Sequence, residues 1–228
     1  MTKKIKLIAF IIFLSGAIAV NGQDYNYQVA YSSQEYSALV DTSKIIIQQF
    51  DDLNKLPIGF SFDYAGKTVD SLLLKSSGLL TFDSENKYNF IFLNKEFVGE
   101  LADTNHISSL SYTVSTDEYN RKTMKIEFKN AMLVRGEDKI YFNFQVWLYQ
   151  YTNAIEFHMG TLSGSMPDEN YLVGLINMND PDIAPLGYLL QGEPSSPSGS
   201  DIAAKGDLTE LTAIPPAGTV YKFTPVTN

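Results

Sequence analysis

The chain has 228 residues, 26 acidic side chains against 17 basic ones for a formal net charge of −9, 44% hydrophobic residues and no cysteine. Such an acidic balance disfavours a nucleic-acid partner, because neutralisation of phosphates by Lys and Arg supplies most of that affinity. The missing cysteines exclude disulfides, thiolate metal sites, cysteine nucleophiles and lipid-modified cysteines together, so the core alone has to hold the fold.

In chain order the first feature is a leader. MTKKIKLIAFIIFLSGAIAVNGQ carries Lys3, Lys4 and Lys6, then an apolar run from Leu7 to about Phe13, then small residues. This is the layout of a secretory signal peptide over residues 1–22, with cleavage after either Ala19 or Gly22. The apolar run is shorter than the ~20 residues of a membrane-crossing helix, so no span is expected once the leader is removed. Residues 23–228 are expected to form a single domain, which at this size buries roughly 70% of its unfolded surface.

Beyond the leader, short apolar runs alternate with Gly, Asn, Asp and Ser, and no amphipathic helical stretch of convincing length intervenes. Strands are expected at Lys44–Gln48, Ile58–Tyr64, Val69–Lys75, Gly78–Phe82, Ser109–Ser115 and Lys122–Lys129. Ile58, Phe60 and Phe62 share one phase, and so do Met124, Ile126 and Phe128 against Lys125, Glu127 and Lys129. The clearest pattern is IYFNFQVWLYQYTNAIEFHMG, residues 140–160, in which two alternating runs flank a polar turn and predict a β-hairpin. Its core phase is Ile140, Phe142, Phe144, Val146 and Leu148, continued by Ile155, Phe157 and Met159. Glu156 and His158 fall on the opposite phase, expected to be wet. Further strands are expected at Tyr171–Asn177, Tyr188–Gln191 and Thr219–Phe223, with Gln191–Leu208, rich in Gly, Pro and Ser, as a long surface loop. Together these predict an all-β, two-sheet antiparallel sandwich of jelly-roll type.

The second phase of the hairpin carries the candidate ligand-binding residues. Tyr141, Asn143, Gln145, Trp147 and Tyr149 would offer rings for stacking on a flat sugar or polymer and amides for its hydroxyls. The alternative is that a long loop such as Gln191–Leu208 covers them and makes them structural.

Signals for chemistry are sparse. His106 and His158 are the two histidines; Glu156 and His158 are i, i+2 neighbours on one strand phase, an incomplete metal site expected to be a solvated face. Glu127 and Glu156 are the strand-phase acid pair that a glycoside hydrolase would need, and Lys125 and Lys129 beside them suggest ordinary surface charge pairing instead. Gly160-Thr161-Leu162-Ser163-Gly164 fails the spacing of a nucleophile elbow. Asn177-Met178-Asn179-Asp180-Pro181-Asp182 offers calcium-type oxygens but lacks the glycine and distal glutamate of an EF-hand loop, so a solvated turn is expected. No catalytic residue, metal or cofactor is therefore assigned.

Several blocks carry a resemblance. Leu56-Pro57-Ile58-Gly59-Phe60-Ser61-Phe62-Asp63-Tyr64-Ala65-Gly66-Lys67 followed by Ser76-Ser77-Gly78-Leu79-Leu80-Thr81-Phe82, Asn120-Arg121 leading into Met124–Phe128, Phe144–Gly160 and Pro216–Pro225 are together similar to exported β-sandwich modules of Bacteroidota. Such modules stand at the N-terminus of type IX-secreted surface proteins, and the opening block faintly resembles nidogen-like domains. The family's usual Asn in its "SSNG" block is Ser77 here, so no turn role of that Asn carries over. The sequence ends after the sandwich, without the sorting tail of the larger proteins, which leaves periplasm or free secretion beside surface association as the expected locations. The resemblance brings no catalytic set. It implies an exported, non-catalytic binding or structural module with a glycan or surface protein as partner; the alternative is a carbohydrate-active hydrolase on the same scaffold.

Overall fold

Strict alternation in the sequence becomes two stacked sheets in the computed structural model, which describes residues 27–40, 42–46, 54–64, 67–74, 80–82, 89–92, 108–135, 138–164, 170–177, 186–201 and 209–226. Sheet A contains β1 (Tyr27–Ser33), β2 (Ser43–Ile46), β7 (Ser109–Thr116), β8 (Lys122–Arg135), β9 (Asp138–Tyr149), β10 (Ile155–Ser163) and β14 (Thr219–Pro225), in the order β1-β14-β10-β9-β8-β7-β2. Sheet B contains β3 (Asn54–Tyr64), β4 (Lys67–Leu74), β5 (Leu80–Thr81), β6 (Asn89–Phe92), β11 (Val173–Asn177), β12 (Leu186–Gln191) and β13 (Ser198–Asp201), in the order β13-β12-β11-β6-β5-β4-β3. All strand pairs are antiparallel. Among the described residues there is no helix long and apolar enough to cross a membrane. The expected all-β antiparallel sandwich is found. Its order is built of meanders, β3 to β6, β7 to β10 and β11 to β13, and this gives no support to the jelly-roll detail, which rests on paired Greek keys.

The inner faces share one core. Leu56, Ile58, Phe60, Phe62 and Tyr64 of β3 cluster with Met124, Ile126 and Phe128 of β8, with Phe142, Phe144, Val146 and Leu148 of β9, and with Ile155, Phe157 and Met159 of β10. Phe128 and Phe144 stack across the β8–β9 pair at 4.3 Å, and Phe142 lies 5.6 Å from Phe144. The phase read from alternation is thus the phase that is buried, as period-2 geometry requires.

That phase survives two irregularities because bulges correct it. Without interruption Asn130 would follow Phe128 into the core, and Thr161 would follow Met159. The β8–β9 register shifts between Phe128 and Ala131, and the β9–β10 register shifts between Met159 and Leu162. Each inserts one extra residue, which turns the polar side chain away and brings Ala131 or Leu162 opposite Phe142. Asn143 ties the two bulges together, accepting from Asn130 N at 2.8 Å and donating to Thr161 Oγ1 at 2.7 Å.

β1, β6 and β13 are strands beyond those expected from the sequence. β13, of sequence Ser-Gly-Ser-Asp, pairs with β12 through its main chain and lies inside the segment expected to be one long loop. Gln191–Leu208 is therefore, in its described part, a turn and an added edge strand of sheet B. Tyr221 of sheet A donates to Pro194 O at 2.7 Å and holds that turn.

Candidate functional site

Sheet A turns its second phase outward, and cross-strand register arranges it in two rows. Glu127, Gln145 and His158 lie opposite one another on β8, β9 and β10; Lys125, Trp147, Glu156 and Lys222 form the neighbouring row across β8, β9, β10 and β14. Opposite charges and rings on facing strands interact at this spacing. Lys125 Nζ sits 3.7 Å from the centre of the Trp147 ring, and His158 stacks on that ring at 4.0 Å. Since β8 and β10 flank β9, the indole is clasped from both sides. Its Nε1 donates to Gln145 Oε1 at 2.9 Å. Lys125 is drawn below its usual lysine range by burial, partly countered by the Glu156 charge.

Glu156 is the centre of the second row. Tyr149 OH donates to its Oε2 at 2.6 Å, His158 Nε2 lies 2.9 Å from the same oxygen, and Lys222 Nζ donates to Oε1 at 3.0 Å. Burial pushes the carboxyl up, but the hydrogen bonds from His158, Tyr149 and Lys222, together with the Lys222 charge, outweigh it and bring the group down to about 2. Burial and the Glu156 charge push the Tyr149 phenol well above its ordinary range.

Glu127 anchors a strap. Residues 34–40 leave β1 at one edge of sheet A and run toward β2 at the other, crossing the outward face. Tyr36 OH donates to Glu127 Oε1 at 2.7 Å and Leu39 N to Oε2 at 3.3 Å. Gln145 Nε2 bridges the two layers, donating to Ser37 O at 2.8 Å and to Glu127 Oε1 at 3.0 Å. The carboxylate, 4% exposed, is thus surrounded by neutral donors. Burial, then the hydrogen bond to Glu127 and its charge, push the Tyr36 phenol far up. Two glycines admit the strap. A Cβ on Gly160 would stand 2.8 Å from the Tyr36 ring, and Gly218, at φ +86, places its carbonyl to accept from Gln34 N at 2.8 Å.

The candidate residues are therefore brought together on this face. Gln145 and Tyr141 are buried, the amides of Asn143 and Gln145 are engaged within the protein, and the ring of Trp147 is covered by Lys125 and His158. Trp147 and Tyr149 stay half-buried. Over Glu127 and Gln145 the cover is the 34–40 segment. Glu127, Glu156 and His158, expected on a wet face, are buried, Glu127 beneath the strap, Glu156 among Tyr149, His158 and Lys222, and His158 against Trp147: alternation tells which side a residue points to, not what lies over it. The acid pair is not placed across a cleft. His106 and the Met178–Asp182 part of the calcium-type turn lie outside the described residues, and no group of three or more His, Asp or Glu that could hold a metal occurs among the described ones.

Among the described residues, an open surface lies where two turns meet. The β7–β8 turn (117–121) and the β9–β10 turn (150–154) stand side by side, and Tyr119, Asn120, Arg121, Gln150 and Tyr151 line a shallow groove of about 620 Å³ between them. Tyr119 is 70% and Tyr151 77% exposed. Asp117 Oδ1 accepts from Tyr119 N and Arg121 N, both at 2.9 Å, and its Oδ2 takes Arg121 Nε at 2.7 Å. These bonds hold the Asp117 carboxyl below its usual range, the side-chain bond to Arg121 being the largest cause. The second turn is tied by Gln150 N to Lys122 O at 3.0 Å and by Asp63 N of β3 to Asn153 Oδ1 at 3.0 Å. Sequence reasoning passed over these tyrosines because turn residues carry no periodicity; their one signal is an aromatic at the tip of each of two neighbouring polar turns.

No curated protein and no solved structure matches the chain. A family model described as NIDO related matches residues 26–225, which span every described strand. The likeness of the opening block to nidogen-like domains is upheld at that level, and the chain belongs to the NIDO-related family.

Proposed function

We propose that this chain is an exported, non-catalytic binding or structural interaction module of the bacterial envelope or cell exterior. The observation that carries the reading is the state of the acid pair. Glu127 is sealed beneath the strap and held by three neutral donors, and Glu156 is buried among Tyr149, His158 and Lys222. A glycoside hydrolase needs two carboxyls facing each other across a space that admits sugar and water, with one of them raised to serve as acid. Here Glu156 is shifted in the opposite direction. Membership of a NIDO-related family supports a non-catalytic role in an extracellular context, and the quoted blocks support an origin among type IX-associated surface modules.

The test is an assay for turnover. The chain without residues 1–22, incubated with soluble plant and microbial polysaccharides, should release no reducing ends above buffer. Steady release that Glu127→Gln or Glu156→Gln abolishes would replace the reading with a carbohydrate-active hydrolase.

A further inference from the structure

We infer that the groove between the β7–β8 and β9–β10 turns is a binding site for an uncharged oligosaccharide. The inference rests on the binding reading above and names a ligand class for it. Large aromatic side chains held 70% and 77% in solvent lose contact with apolar surroundings unless something covers them, and Tyr119 and Tyr151 are both so placed, at the two tips that border one groove. A tyrosine ring offers a flat apolar face to the C–H side of a pyranose and a hydroxyl at its end.

The polar groups around the rings are of the matching kind. Gln150 Oε1 is occupied by Lys122 N at 3.1 Å, which fixes the amide and leaves its NH2 donors without a partner among the described residues. Arg121 is held by Asp117 through Nε and Nη2, its Cζ 4.8 Å from the Tyr119 ring centre, and its other N–H groups have no hydrogen-bond partner among the described residues. The Asn120 amide, from a residue at φ 60, adds a donor and an acceptor with no partner among the described residues. Rings flanked by fixed, unengaged amide and guanidinium donors recognise hydroxyl groups.

Size and charge select the ligand. A groove of about 620 Å³ lined by five residues suits a short run of sugar units, whereas a stable protein partner covers roughly 20–30 residues on each side. Asp117 neutralises the guanidinium in place, and the chain as a whole is at −9, so nothing draws in a polyanion. The turns are pinned by their own hydrogen bonds before any ligand arrives, which reduces the ordering cost of binding.

Native affinity electrophoresis tests this, since the acidic chain enters the gel unaided. The chain without residues 1–22 is run through gels containing, separately, cellulose-derived hydroxyethylcellulose, xylan, galactomannan, laminarin and polygalacturonate. At least one neutral polysaccharide should retard the parent, and Tyr119→Ala and Tyr151→Ala should each weaken that retardation about tenfold with unchanged thermal melting, as substitutions at exposed positions. Retardation that both variants keep would overturn the site while leaving the binding reading in place. Retardation by polygalacturonate alone, or by none of the polymers, would overturn the ligand class. Release of reducing ends in the turnover assay is a separate readout and bears on the non-catalytic reading only.

Discussion

Glu156 ties the stability of the fold to pH in a way that can be measured. Its carboxyl titrates at about 2 in the folded protein against 4.5 for an ordinary glutamate, and such a difference links about 3 kcal/mol of folding free energy to the ionised form. Because the folded value is depressed, the unfolded chain binds the proton first as pH falls. The contribution is complete above about pH 5.5 and is lost between about pH 4.5 and 2. Glu156→Gln keeps an acceptor for Tyr149 and removes the charge. Urea unfolding of parent and variant, followed by circular dichroism at several pH values from 7 to 2, gives the difference in stability at each pH, and the other carboxylates contribute equally to both proteins. The parent's advantage should be constant from pH 7 to 5.5 and shrink by about 3 kcal/mol by pH 2. A difference that stays constant over the whole range would refute the account of Glu156 as a buried carboxylate held ionised by His158, Tyr149 and Lys222.

Phe144→Ala removes a ring stacked between Phe128 and Phe142 and should cost about 3–5 kcal/mol in unfolding experiments; a melting temperature within a degree of the parent would contradict the core phase. Tyr36→Phe deletes the phenol that donates to Glu127 and should cost about 1.5–3 kcal/mol, the range for a hydrogen bond to a charged group, with faster amide exchange at Leu39 as the local signature. Amino-terminal sequencing of the protein recovered from cells should begin after Ala19 or after Gly22, and a start at Met1 would refute the signal peptide.

How much of this was legible follows from what alternation encodes. The phases of β3, β8, β9 and β10 could be read directly, since Ile58, Phe60 and Phe62, or Phe142, Phe144 and Val146, recur every second residue and burial on one side leaves no other register. β13 escaped because an edge strand holds by main-chain pairing and Ser198–Asp201 contains no apolar side chain to signal a face, whereas β1 carries a short alternation, Tyr27, Val29 and Tyr31, directly behind the leader. The outer rows escaped for a different reason. Glu127 and Glu156 look like surface charges in sequence, and only the register across β8, β9 and β10 shows that each faces a polar or aromatic partner. The strap, residues 34–40, has no period of its own, because its place is set by Tyr36 and two main-chain groups reaching side chains about ninety residues or more away.

The closed face and the open end are mechanically connected. β8 and β9 are cross-linked on the core side by the stacked Phe128 and Phe144, and β8, β9 and β10 on the outer side by the Glu127 and Glu156 networks and at their bulges by Asn143. The same three strands carry the turns that bear Tyr119 and Tyr151, joined to each other by the two hydrogen bonds between Lys122 and Gln150. A scaffold braced on both faces fixes the separation of the two ring-bearing turns, and fixed separation is what a short, stiff ligand requires of its site. Were the groove to bind the proposed ligand, the polar rows would support it without touching it. Substitutions within them should change stability first, and any change in binding should scale with loosening of the turn end, whereas Tyr119 and Tyr151 can be altered with the frame intact.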